Sequence, residues 1–186
     1  QEHHLQAYFA QRHAQSKATS ANRRLTVFKR FFRWALREGL VQADPTLKML
    51  AARQALRVPK LLSEAQVDAL LRAPDVADPL GLRDRAMLEL MYASGLRVSE
   101  LVGLKTLHVS LNESVLRILG KGSKERLVPF GQEAGLWLAR YLQASRPALL
   151  GSRQSEALFV TSAGPKPGTG MSRIMFWNLV KRYALQ

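Results

Sequence analysis

Apolar residues recur at two different periods along this chain of 186 residues, and the change of period marks out its elements. Leu25, Phe28, Phe32 and Ala35 fall three and four positions apart, with Val27, Phe31 and Trp34 beside them. A repeat near 3.6 residues over that length predicts a long helix with a wide apolar stripe. Thr19 or Ser20 is placed to cap it and Gly39 to stop it after Glu38. Before it, 5–12 reads as the tail of a helix whose beginning is missing, followed by a polar break at 16–20. After it, 41–50 reads as turn and helix, opened by Asp44-Pro45.

Further on, Ser63 and Gln66 form a capping box with Leu62 and Val67 at the staple positions, so a helix starts at Ser63 and ends by Pro74. The stretch 82–94 is apolar on nearly every side except at Arg83, Asp84, Arg85 and Glu89, which predicts a core helix ended by Gly95. A short helix follows over 97–103. The period then drops to two over 107–111, 115–119 and 126–130, separated by Asn112-Glu113-Ser114 and by Gly120-Lys121-Gly122-Ser123. That pattern predicts a three-stranded antiparallel sheet. A helix over 132–145 should bury Leu136, Leu138, Tyr141 and Leu142. Beyond a short apolar run at 157–160 and a Gly/Pro loop at 161–170, Ser172 can cap a last helix carrying Ile174, Trp177, Val180 and Ala184. The fold class is mainly α with a small antiparallel β-sheet. We place an N-terminal helical domain at 1–55, a basic extended linker at 56–60 stiffened by Pro59, and an α+β domain at 61–186.

Charge turns this layout into a statement about partners. Lys and Arg number 28 against 14 Asp and Glu, a formal net charge of +14. Residues 1–60 alone hold 12 Lys and Arg against 3 Asp and Glu. Such a surplus points to a polyanion, and nucleic acid is the default. Arg23, Thr26, Arg30, Arg33 and Arg37 line one face of the long helix, with no acid beside them before Glu38. A row of guanidinium groups can track a phosphate backbone, and Arg57 and Lys60 in the linker suggest that it too lies along a duplex. With no cysteine, disulfides, thiolate zinc sites and a cysteine nucleophile are excluded, and a reducing cytoplasm fits. His3, His4, His13 and His108 show no HExxH spacing, so no metal is expected. No apolar run has membrane-spanning length, so no membrane insertion is expected, and the first residues do not resemble a signal peptide.

Two short stretches carry candidate chemistry. GLRVSEL at 95–101 puts Arg97 at a helix entrance, where amide donors and the helix dipole favour an anion. An arginine fork there can hold two phosphate oxygens; equally, Arg97 can be a structural partner of Glu100, three residues on. GKGSKERLVP at 120–129 sets Lys121 in a glycine turn beyond the sheet, with Ser123, Lys124 and Arg126 as further donors. The pattern is not a nucleotide-binding phosphate loop, so ATP is not implied.

Together, ASGLRVSELVGL at 93–104 and RILGKGSKERLVPFG at 117–131 resemble the tyrosine site-specific recombinases of the phage integrase family, and within them the bacterial Xer group. The separation of 24 residues between Arg97 and Lys121 matches that group, and MSRIMFW and VKRYA near the end are more similar to its XerD branch than to its XerC branch. The resemblance implies a helical core-binding domain followed by a catalytic domain, truncated here. It implies Arg97 as a catalytic arginine on the scissile phosphate, Glu100 as its acidic support, and Lys121 as general acid for the departing 5′ oxygen. Arg23, Arg30, Arg33, Arg37, Arg57, Lys60, Lys124 and Arg126 are the DNA-binding candidates. The implied reaction forms a 3′-phosphotyrosyl link with no cofactor. Implied partners are double-stranded DNA, a XerC-like recombinase and a septal DNA translocase, in chromosome dimer resolution. The family's second arginine, later histidine and tyrosine nucleophile are expected beyond Gln186, with Tyr8, Tyr92, Tyr141 and Tyr183 read as helix residues. The chain alone would then bind DNA without cleaving it. A non-catalytic DNA-binding module and a phage or integron integrase are the alternatives.

Overall fold

The computed structural model describes residues 2–13, 16–53, 61–119, 125–162 and 167–185. Arg57, Lys60, Lys121 and Lys124 lie outside them. The chain divides into two compact units, 1–60 and 61–186.

In the first unit, α1 (Glu2–His13) lies against α2 (Ala18–Arg37). Phe28 of α2 meets Tyr8 and Phe9 of α1 edge-on, with centroids 5.6 and 5.8 Å apart. Leu25 and Ala35 are buried, whereas Val27, Phe31 and Trp34 stay exposed. The helix begins earlier than its cap residues suggest: Lys17 holds the N-cap position without a side-chain bond, leaving Thr19 and Ser20 inside the first turn. The Lys17 carbonyl already accepts from the amides of Ser20 (2.9 Å) and Ala21 (3.1 Å). Gly39, with φ of +69°, follows the helix end.

Residues 41–50 form turns, not the expected helix. Asp44 Oδ1 accepts from the amide and hydroxyl of fully buried Thr46, at 2.8 and 2.6 Å, and this local bonding competes with helix formation. Asn22 then clamps the returning chain through both backbone groups of Ala52, at 2.9 and 2.8 Å.

The second unit opens with α3 (Glu64–Arg72), capped reciprocally by Ser63 and Gln66. At its centre lies α4 (Pro79–Ser94), which starts three residues before the expected point because Asp78 caps it and Pro79 takes the first helical position. Gly81 is required there, since a Cβ would stand 1.8 Å from the Asp75 carbonyl oxygen. Leu82, Ala86, Met87, Leu88 and Leu90 are buried, and so are three of the four polar positions, Arg83, Asp84 and Glu89. Gly95, in the left-handed region, ends the helix.

After α5 (Val98–Val102) and a 3-10 turn (Thr106–His108) comes the sheet: β1 (Val109–Ser110), β2 (Val115–Leu119) and β3 (Glu125–Pro129), antiparallel in the order β1-β2-β3. The 3-10 turn shortens β1 against the expected 107–111. Leu116 and Ile118 face the core, and Arg117 and Leu119 alternate outward.

Next, α6 (Gln132–Arg140) passes through a π-helical turn (Tyr141–Ser145) into α7 (Arg146–Leu150). Ala134, Leu138 and Tyr141 are buried; Leu136, expected inside, is exposed. In α8 (Arg173–Tyr183), capped by Ser172, the buried residues are Phe176, Leu179 and Tyr183, while Ile174 and Trp177 face outward.

A polar knot ties α8 to α4. Asp84, fully buried, accepts from Arg83 at 2.7 Å, from the Tyr183 hydroxyl at 2.9 Å and from Arg182 at 3.3 Å, while Arg83 also donates to the Val160 carbonyl at 2.9 Å. Among the described residues no helix is long and apolar enough to cross a membrane.

Candidate active site

Buried Leu96, Leu101 and Leu104 fasten the stretch around α5 to the core, and Arg97 stands between them at the N-cap position. Its backbone amide donates to Glu100 Oε2 at 3.0 Å and its guanidinium to Glu100 Oε1 at 3.1 Å. The amide is therefore occupied and α5 has only five residues, so anion-holding capacity at this point rests on side chains rather than on a helix end. Both readings of Arg97 meet here: it is paired with Glu100, and yet its side chain is 77% exposed.

Glu100 serves a second cation. Arg126, from β3, donates to the same Oε2 at 3.0 Å across 26 residues of sequence. The Glu100 side chain is only 11% exposed. The Arg97 amide first, then the Arg126 and Arg97 guanidinium groups, hold its carboxyl below the usual glutamate range against the opposing effect of burial. One carboxylate thus faces two guanidinium groups and leaves one positive charge uncompensated.

A cavity of about 660 Å³ opens beside this pair, lined by Arg97, Ser99, Glu100, Gly103, His108 and Arg117 among others. His108 Nδ1 accepts from the Lys105 amide at 3.2 Å, which fixes the ring at the cavity wall. Arg117 has no ion pair among the described residues. Neither His108 nor Arg117 stood out in the sequence as a site residue. The available signal was the alternation of β2, which sets Arg117 outward four positions before Lys121.

Lys121 and Lys124, which the sequence pattern sets in a glycine turn, fall outside the described residues. The strand ends beside them are described: Leu119 pairs with Glu125, and the next pair, Ile118 with Arg126, brings Arg126 to the carboxylate that holds Arg97.

The tyrosine hydroxyls of this unit are mostly committed elsewhere. Tyr141 is fully buried, donates to the Leu158 carbonyl at 2.9 Å and accepts from the Val160 amide at 3.3 Å, and burial pushes its pKa up to about 12. Tyr183 belongs to the Asp84 knot, and burial together with the Asp84 charge raises it. Tyr92, exposed on α4, lines a different cavity with Arg85, Glu89 and Glu133.

In the other unit, Arg23, Arg30, Arg33 and Arg37 all lie exposed on α2. Arg37 pairs with Glu38 at 3.3 Å, and Arg23, Arg30 and Arg33 have no acidic partner among the described residues.

Comparison with known proteins covers both units. Residues 60–186 match the model described as "Phage integrase family", and residues 1–39 match "Phage integrase, N-terminal SAM-like domain". The chain is 66% identical over 181 residues to Tyrosine recombinase XerD of Ralstonia nicotianae, covering 97% of this chain and 58% of that protein. It is 52% identical over 168 residues to the Pseudomonas aeruginosa protein of the same name, covering 90% and 55%. It spans a little over half the length of these relatives. Among solved structures, a lambda integrase dimer bound to a COC' core site superposes with a TM-score of 0.71 at 17% identity, covering 99% of this chain and 50% of that one. XerA recombinase superposes at 0.56 with 20% identity, covering 85% and 59%. Likeness at such identity speaks for the fold alone.

Proposed function

The chain belongs to the phage integrase family, and from that premise we propose that it is part of a site-specific recombinase that cuts and rejoins double-stranded DNA through a 3′-phosphotyrosyl intermediate. The observation that carries this reading is the Glu100 carboxylate shared by Arg97 and Arg126, which leaves the Arg97 side chain 77% exposed at a cavity with surplus positive charge. A cation held in place by a carboxylate, with its other donors free, is prepared for a phosphate before the substrate arrives.

In this reading Arg97 holds the non-bridging oxygens of the scissile phosphate and stabilises the charge that grows on them as the phosphorus becomes five-coordinate. Glu100 orients Arg97. Lys121 protonates the departing 5′ oxygen. The phosphodiester energy stays in the covalent link, so rejoining needs neither ATP nor metal. Arg23, Arg30, Arg33 and Arg37, with Arg57 and Lys60, grip the duplex, and Lys124 adds a contact near the turn. We place the nucleophile outside these residues, because Tyr141 and Tyr183 have committed hydroxyls, Tyr92 lies at another cavity and Tyr8 is packed against Phe9 and Phe28.

Likeness to the XerD proteins favours chromosome dimer resolution in the cytoplasm with a XerC-like partner; a septal translocase is an expectation of the sequence resemblance alone. The test is covalent capture. The 186 residues should bind a duplex and yield no DNA adduct. In a protein carrying them at its relatives' full length, Arg97→Ala or Lys121→Ala should cut adduct formation by roughly 10²- to 10³-fold even when enough protein is present to saturate the duplex. Undiminished cleavage in both variants overturns the assignment, and a full-length protein that binds but never forms an adduct is a non-catalytic DNA-binding module.

A further inference from the structure

We infer that Arg126 is a positioning residue that acts through Glu100 on Arg97, and not a DNA ligand in its own right. The inference rests on the reading of Arg97 as a phosphate clamp. Glu100 Oε1 accepts from the Arg97 guanidinium at 3.1 Å, and Oε2 accepts from both the Arg97 amide and Arg126, each at 3.0 Å. Three donors on two oxygens leave the carboxylate little freedom about its terminal bond, which is otherwise a soft torsion. Without Arg126, Oε2 keeps only the amide of the residue that the carboxylate must orient, and the group can turn.

The placement of Arg126 in the hairpin adds a second consequence. It lies in the second residue pair from the Leu119–Glu125 end of β2 and β3, opposite buried Ile118. Its bond to Glu100 therefore ties that end of the strand pair to the helix entrance that presents Arg97. Of the two arginine side chains on this carboxylate, that of Arg126 is the less exposed, 42% against 77% for Arg97, so Arg97 is the one presented to a phosphate. The sequence shows a basic hairpin and cannot separate the two roles, because both call for a guanidinium.

A double-mutant cycle on the 186-residue chain separates them, read as affinity for a duplex in a fluorescence anisotropy titration. Arg126→Gln should weaken binding roughly tenfold, the scale of a lost charge-assisted bond, and should add less than about twofold when Arg97 is already alanine. Arg126→Lys, which keeps a charge and a donor, should recover part of the loss. Carboxyl resonances should show Glu100 titrating at higher pH in Arg126→Gln, a shift that a general packing defect would not cause. An equal loss in both backgrounds, or an unmoved Glu100 titration, overturns the inference while leaving the clamp intact. If Arg97→Ala alone leaves affinity unchanged, the clamp reading fails and takes this one with it.

Discussion

At the scale of single residues, the chain spends its buried polar groups on structure and its exposed ones on charge. Glu100 lies between these cases, and its lowered pKa has a definite sign. A carboxyl held below its ordinary value stabilises the fold above the ordinary 4.5, and that contribution is lost as pH falls through the folded value. Thermal melts from about pH 6 down to about pH 3 should therefore show a fall in stability below about 4.5 that is shallower in Glu100→Gln. Tyr141 is a cleaner structural case. Tyr141→Phe removes one bond to the Leu158 carbonyl and one from the Val160 amide at a fully buried site, and urea unfolding should register a loss of about 1–3 kcal/mol.

At the scale of elements, α4 decides how the second unit is built, since it is buried on nearly every side and meets α8 through charge. Asp84→Ala would leave Arg83 buried without its partner, a loss of about 3–5 kcal/mol in urea unfolding. The start of α4 is equally demanding. Gly81→Ala should destabilise by more than about 1–3 kcal/mol, because the new methyl meets backbone that cannot move aside.

For the molecule as a whole, a formal charge of +14 predicts duplex binding that weakens steeply with salt. The logarithm of affinity should fall linearly with the logarithm of salt, and replacing Arg23, Arg30 and Arg33 by glutamine should reduce that slope by about 0.9 for each phosphate that is no longer neutralised. Titrations between roughly 50 and 200 mM salt, on the order of the range where such slopes are read, check this. A slope unchanged in the triple variant would remove α2 from the interface.

The sequence by itself determined the order of elements, the three-stranded sheet, the reciprocal cap on α3, the stop at Gly95 and the family, because each is written in neighbouring residues: a period, a cap or a glycine. It set Leu136 on the inward face of α6 and named no inward face for α8, since apolar residues fall on more than one side of each helix, and only the neighbours choose Phe176 over Ile174 or Ala134 over Leu136. Residues 41–50 escaped for a related reason: Asp44 and Thr46 bond each other and outweigh a weak helical pattern. Tertiary structure alone decided that Asp84, Arg182 and Tyr183 meet across nearly a hundred residues, and that Arg97 and Arg126 share one carboxylate. A charge shows in the sequence as a letter, but its partner is fixed by how α4, α5 and the hairpin pack.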